Sequence, residues 1–196
     1  MARIIDLKDK SSLSEAARVL KEGKILVFPS DTVYGIGCVL EKPAIRKLYK
    51  IKNRPLRQPT GILLTKRIYD SIRSSAQSSI NIINLSEDVK KGFLAGKITL
   101  ILPKEIFKLD LPSLILKNGR VGVRLPNHRW LIKLIENSGP IVASSANQRG
   151  RPAPADFRQI ENLILKRVDL VIRSKDKSFG HSSAVYDLGQ QKYLRK

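Results

Sequence analysis

Short apolar runs recur along this chain, each too brief for a helix and each closed by glycine, proline or a polar loop. KILVF (24–28), GILLT (61–65), ITLILP (98–103), RVGVRLP (120–126), PIVASSAN (140–147), VDLVIR (168–173), SAVYDL (183–188) and QKYLRK (191–196) all have this form. Runs of that length, rich in Val, Ile and Leu, read as strands. Between them lie segments with apolar residues at helical spacing, at 11–23, 42–52, 128–139 and 154–167. Strands and helices mixed in this way predict the α/β class, a mixed sheet with helices packed on it.

Local signals sharpen the element assignments. Ser12 and Glu15 have the spacing of a capping box and Gly23 that of a C-cap, so 12–22 should be helical. Pro43 is tolerated in a first turn, whereas Pro55 and Pro59 forbid continuation of the 42–52 helix. Pro154 starts a helix running to Arg167. Residues 66–96 read as short helices joined by polar loops, among them SSAQSS (74–79). Trp130 reads as a core anchor of its helix. No repeat, linker or composition break divides the chain, so one domain over 1–196 is expected.

At 196 residues and 42% hydrophobic content the chain can bury a substantial core. It has no apolar run of membrane-spanning length and no signal-type leader, which predicts a soluble, cytoplasmic protein without membrane association. Cys38 is the single cysteine and His128 and His181 the only histidines. An internal disulfide is therefore excluded, a Cys/His zinc cluster cannot be assembled, and no metal site is expected. Cys38 reads as a small packed residue. Lys and Arg number 37 against 17 Asp and Glu, a net charge of +20 spread along the chain. Such a balance favours polyanionic partners, nucleic acid or phosphorylated substrates.

Phosphate-binding signatures of the Walker and Rossmann kinds are missing, as is the G-x-S-x-G elbow of acyl-transfer enzymes. What remains is a set of polar loops following strands or helices: SDTVYG (30–35), KNRPLRQP (52–59), GKIT (96–99), SSANQRG (144–150) and GHSSAVYD (180–187). The first lies in FPSDTVYGIGC, whose plainest reading is a capped strand-to-helix turn. Together the loops could line one cleft at strand ends, with Lys52 and Arg54 facing one phosphate.

In this order and at these spacings the loops resemble the YrdC/TsaC family of L-threonylcarbamoyladenylate synthases. The family pattern P-T-D-T-V-Y-G, K-x-R-P, P-G-P-x-T, V-x-V-R-x-P, S-A-N-x-S-G and G-x-x-S-T-x-x-D is matched by PSDTVYG, KNRP, AGKIT, VGVRLP, SANQRG and GHSSAVYD. The resemblance implies a twisted α/β sheet with a basic concave face. It implies condensation of L-threonine, bicarbonate or CO2, and ATP into threonylcarbamoyl-AMP, with pyrophosphate released and Mg2+ accompanying ATP. The product would serve a separate transferase that forms N6-threonylcarbamoyladenosine at position 37 of tRNA. By resemblance Thr32, Thr99, Ser145 and Ser183 contact threonine. Lys52 and Arg54 are the catalytic cations and hold ATP together with Gln58, Asn147 and Arg195.

The chain departs from the pattern at Ala95 and Lys97 in place of two prolines, and at Arg149 and Ala184 in place of Ser and Thr. Ala155 stands where many members have Thr, and Leu63 where archaeal members carry His. A competing reading is an RNA-binding module of the same fold with reduced or lost synthase activity, using a basic face to bind RNA directly. A third is a carbamoyl-handling relative resembling a domain of hydrogenase-maturation proteins.

Overall fold

The computed structural model describes residues 2–73, 85–176 and 178–196. Among them ten strands form one sheet: Arg3–Asp6 (β1), Leu26–Phe28 (β2), Gly35–Cys38 (β3), Gly61–Leu63 (β4), Ile98–Pro103 (β5), Arg120–Arg124 (β6), Ile141–Ser145 (β7), Leu170–Arg173 (β8), Ala184–Asp187 (β9) and Lys192–Arg195 (β10). Their spatial order is β1-β8-β2-β3-β7-β4-β6-β5-β9-β10. Parallel pairs (β1/β8, β8/β2, β4/β6, β5/β9) are interleaved with antiparallel ones. The sheet is thus mixed, as the sequence predicts. Among the described residues six α-helices flank it: Ser12–Lys21 (α1), Lys42–Ile51 (α2), Lys66–Arg73 (α3), Glu87–Leu94 (α4), Arg129–Ser138 (α5) and Asn162–Arg167 (α6). The SSAQSS segment lies outside the described residues.

Alternation along each strand divides the sheet into two faces. On one face Val27, Val171, Val123, Val121 and Leu100 join a large core with Leu48 and Tyr49 of α2 and Phe93 of α4. On the opposite face Leu26, Phe28, Leu170 and Ile172 pack under α1 and α5, against Leu20, Leu131 and Ile135. That cluster extends to Ile141 of β7 and Leu63 of β4, and the cleft described below opens on the same face, lined by residues of β4, β6, β5 and β9 among others.

Three local expectations are corrected. The Ser12/Glu15 capping box does not form. Ser12 lies inside α1, where its hydroxyl donates to the Leu7 carbonyl (2.9 Å) and accepts from the Trp130 indole (3.1 Å), while Glu15 is drawn off to Arg3 and Arg18. Gly23 does cap the helix end, Gly23 and Lys24 N–H donating to the Leu20 and Val19 carbonyls. FPSDTVYGIGC runs from strand to strand, β2 and β3 pairing antiparallel around it. The helix expected from Pro154 splits into a 3-10 turn, Phe157–Gln159, and α6. The capping box that the chain does build is here, between Asp156 and Gln159.

Candidate active site

The same sheet face forms a cleft of about 390 Å3. Its floor owes its depth to missing side chains. Gly61 on β4 and Gly122 on β6 lie side by side, and a Cβ on Gly61 would come 2.9 Å from the Gly122 carbonyl oxygen. On β3 a Cβ at Gly35 would meet the Phe28 ring at 2.6 Å. Gly35 of SDTVYG is therefore required by close packing beneath a ligand-sized hollow. Alternation supplies the rest: Arg120, Gly122 and Arg124 of β6 face the cleft, while Val121 and Val123 face the core.

Arg120 and Arg124 begin and end a strand of five residues, so they stand about 13 Å apart along it. The Arg124 end is rich in hydroxyls. Register sets Thr99 of β5 beside it. The Thr99 and Ser183 hydroxyls share a hydrogen bond of 2.8 Å. Arg124 itself is buried, its Nη2 lying 2.6 Å from Asp31 Oδ1 and its Nε donating to the Gly96 carbonyl at 2.9 Å. These contacts join the SDTVYG, VGVRLP and AGKIT motifs. Asp31 thereby pins the β2–β3 loop, on which buried Thr32 lines the cleft within 3.2 Å of the Ser30 hydroxyl. Arg195 on β10 reaches the same end, its guanidinium donating to the Ser183 carbonyl at 2.7 and 3.2 Å.

The opposite end is cationic. Arg54 follows α2 and is fixed by the Gln58 carbonyl at 2.8 Å and by the Pro59 carbonyl, with its guanidinium 5.7 Å from the Tyr49 ring centre. Lys117 and Arg120 line the same end. Arg120 is paired at 3.0 Å with Asp187, a carboxylate that also accepts from the Gly189 and Gln190 N–H groups. Among the described residues Arg54, Lys117 and Arg195 have no carboxylate at ion-pairing distance, and Asp187 is the only acid lining the cleft. The net field favours an anion.

Six of the residues singled out in the sequence line the cleft: Thr32, Arg54, Thr99, Ser145, Ser183 and Arg195. Three do not. Lys52 is 4% exposed and its ammonium donates to the carbonyls of Ser145 and Asn147, behind the cleft wall. Burial, helped by the nearby charge of Arg54, pushes that amine down to about 8. Gln58 contributes its backbone carbonyl, and its side chain is exposed. Asn147 donates to the Gln148 and Arg151 carbonyls, holding the loop after β7, and its buried Oδ1 accepts no bond from the described residues.

Sequence reasoning missed the Asp31–Arg124 and Arg120–Asp187 pairs and the cation Lys117. The signal for Arg124 was present in VGVRLP, but a pairing partner 93 positions away leaves no local trace. Cys38 is buried with its thiol pushed up to about 12, and His128 caps α5 by accepting from the Leu131 N–H at 3.3 Å. Neither lines the cleft. No group of three or more His, Cys, Asp or Glu able to hold a metal occurs among the described residues, and no helix among them is long and apolar enough to cross a membrane.

A threonylcarbamoyl-AMP synthase of Pyrococcus abyssi is 32% identical over 177 residues, covering 88% of this chain and 49% of that protein. The crystal structure of P. abyssi Sua5 complexed with L-threonine superposes with a TM-score of 0.79 at 28% identity, covering 98% of this chain and 56% of that one. E. coli YciO shares the fold over all of this chain and 96% of its own, with a TM-score of 0.81 at 22% identity. The chain spans about half the length of the curated Pyrococcus and Bacillus relatives it matches. The model of the Sua5/YciO/YrdC family, described as "Telomere recombination", matches residues 18–196. With that match running from α1 through every motif that shapes the cleft, the chain belongs to the Sua5/YciO/YrdC family.

Proposed function

We propose that the cleft condenses L-threonine, bicarbonate or CO2, and ATP into threonylcarbamoyl-AMP with release of pyrophosphate, a nucleotidyl transfer. The observation that carries this reading is the division of one continuous floor into a hydroxyl end and a cationic end. Relatives named threonylcarbamoyl-AMP synthase, and a threonine complex of one similar structure, support it. Threonine's hydroxyl and carboxylate are read by Thr32, Thr99, Ser183 and Arg124. A pocket built to bond a hydroxyl discriminates against substrates that lack one.

The threonine amine adds to CO2 to give a carbamate. A carbamate oxygen attacks the α-phosphorus, and the bond to the bridging oxygen of pyrophosphate breaks in line with it. Such a displacement needs positioned cations more than a protein acid or base. Arg54 supplies a fixed fork at the phosphates. Lys52 acts from behind, holding the carbonyls that set Ser145 and Asn147 at the end of β7. Arg195 closes the β10 side over the nucleotide. The single lining carboxylate is already engaged, so the residue set suits Mg2+ carried in by ATP rather than held by the protein. The product goes to a separate transferase that modifies tRNA position 37 to N6-threonylcarbamoyladenosine, in the cytoplasm.

Pyrophosphate release tests the proposal. It is expected only with ATP, Mg2+, bicarbonate and L-threonine together, with serine a poorer substrate. Tight RNA binding without any threonylcarbamoyl-AMP would instead establish the binding-module reading, to which the +20 charge lends itself.

A further inference from the structure

Two basic side chains face one another across a tight turn at the cationic end. Lys117 and Arg120 are bridged by paired backbone hydrogen bonds, Lys117 N–H to the Arg120 carbonyl at 2.9 Å and the reverse at 3.0 Å. Asn118 (φ 51°) and Gly119 (φ 69°) between them are both left-handed, as a two-residue type I′ hairpin turn requires. Residues directly opposite in such a pair project to the same side, with Cβ atoms about 5.5 Å apart. Like charges placed so are destabilising on their own. Lys117 is exposed and forms no ion pair among the described residues, while Arg120 is half-buried and balanced by Asp187. A rigid turn that sets two cations side by side on the wall of a cleft, one of them balanced by Asp187, is suited to an anion with more than one charged group.

Their location specifies which anion. β4 and β6 run parallel with Ile62 opposite Val123, so Pro59 and Arg120 stand at the same end of the pair. Pro59 is the residue whose carbonyl holds the Arg54 guanidinium. Arg54, Lys117 and Arg120 therefore surround one end of the floor, about 13 Å along β6 from Arg124 and its hydroxyl neighbours. An in-line displacement at the α-phosphorus puts nucleophile and leaving group on opposite sides of that atom.

Resting on the reaction proposed above, we propose that the Lys117–Arg120 turn is the pyrophosphate subsite, holding the β- and γ-phosphates of ATP so that the leaving group departs toward the start of β6. The electron pair of the breaking P–O bond goes to the bridging oxygen, and the charge of the departing pyrophosphate is met by a rigid pair of cations. Arg120 is braced for this by Asp187 beneath it. The Gly189 backbone packs against the guanidinium, where a Cβ would come 2.4 Å from Nη2. Arg54 and this turn then grip the polyphosphate from β4 and β6.

The test is calorimetric binding of inorganic pyrophosphate, AMP and ATP, each with Mg2+, to wild type, Lys117→Ala and Arg120→Lys. Lys117→Ala removes no side-chain hydrogen bond or ion pair among the described residues, and Arg120→Lys keeps a cation on Asp187, so both should fold. Pyrophosphate and ATP affinity are expected to fall about tenfold in Lys117→Ala, the loss of one charge-assisted contact, with AMP affinity unchanged. Arg120→Lys, losing the planar fork, should show the same pattern. Pyrophosphate affinity equal to wild type in both variants, or a matching loss for AMP, would overturn the subsite. Pyrophosphate binding that depends on Lys117 in a protein that makes no threonylcarbamoyl-AMP would uphold the subsite and refute the reaction instead.

Discussion

Replacement of Lys52 by Met sets two opposing effects against each other, and pH separates them. The ammonium is 4% exposed and donates to two carbonyls, those of Ser145 and Asn147. Burial has pulled it from its ordinary 10.5 to about 8, which corresponds to about 3 kcal/mol against the charged form. The two charge-assisted bonds return about 1.5–3 kcal/mol each. Met abolishes both the penalty and the bonds, so near pH 7 the variant should lose only about 0–3 kcal/mol. Because the folded value lies below the unfolded one, the unfolded chain holds the extra proton between about pH 8 and 10.5, and wild-type stability gains with rising pH across that window. The advantage of wild type over Lys52→Met should widen there by up to about 3 kcal/mol. Urea denaturation of both proteins from pH 7 to 10 measures it. An advantage that stays flat or shrinks as pH rises would show that the amine is not a desolvated clamp. In the same variant threonine and ATP turnover should fall well beyond what the stability change explains, since Ser145 and Asn147 lose their anchor.

Gly122→Ala should leave the melting temperature close to wild type but weaken substrate binding, because its Cβ would intrude into the floor 3.3 Å from Thr99 Cγ2; unchanged binding would show that substrate does not lie across β6. Thr99→Val keeps shape and removes the hydroxyl shared with Ser183, so threonine affinity should fall by about 1 kcal/mol in a titration with L-threonine while AMP binding holds. Arg54→Ala should reduce ATP turnover roughly ten- to a hundredfold without unfolding the protein, and unaltered turnover would place the phosphates elsewhere. Arg195→Ala and a truncation after Leu194 should both weaken ATP binding with the unfolding transition nearly in place; wild-type affinity in both would make Arg195 a solvated residue.

Strands were legible because their apolar runs are short and closed by turn residues, and every one expected is present. Helix starts were harder. Ser12 and Glu15 have the spacing of a cap, yet tertiary partners, Trp130 for one and Arg3 for the other, outcompete the local bonds. The 154–167 segment carries helical spacing throughout, but Asp156 caps a single 3-10 turn and the chain restarts at Asn162. Of the site, the residues that meet the cleft were visible as polar loops after strands. The orientation of Lys52 was not, because spacing alone cannot say whether a lysine beside Arg54 faces the cleft or the loop behind it. Nor was the Lys117–Arg120 pair, which only the hairpin brings face to face.

The alternation of β6 also guards the accuracy of folding. Shifting that strand by a single residue against β4 and β5 would send Arg120 and Arg124 into the valine layer and turn Val121 and Val123 out to water. Two buried guanidinium groups without Asp31 or Asp187 would cost several kcal/mol each. A slipped strand is thus penalised against the native register. The arginines that serve the ligand act as proofreaders of the sheet, favouring the one pairing in which the cleft is assembled.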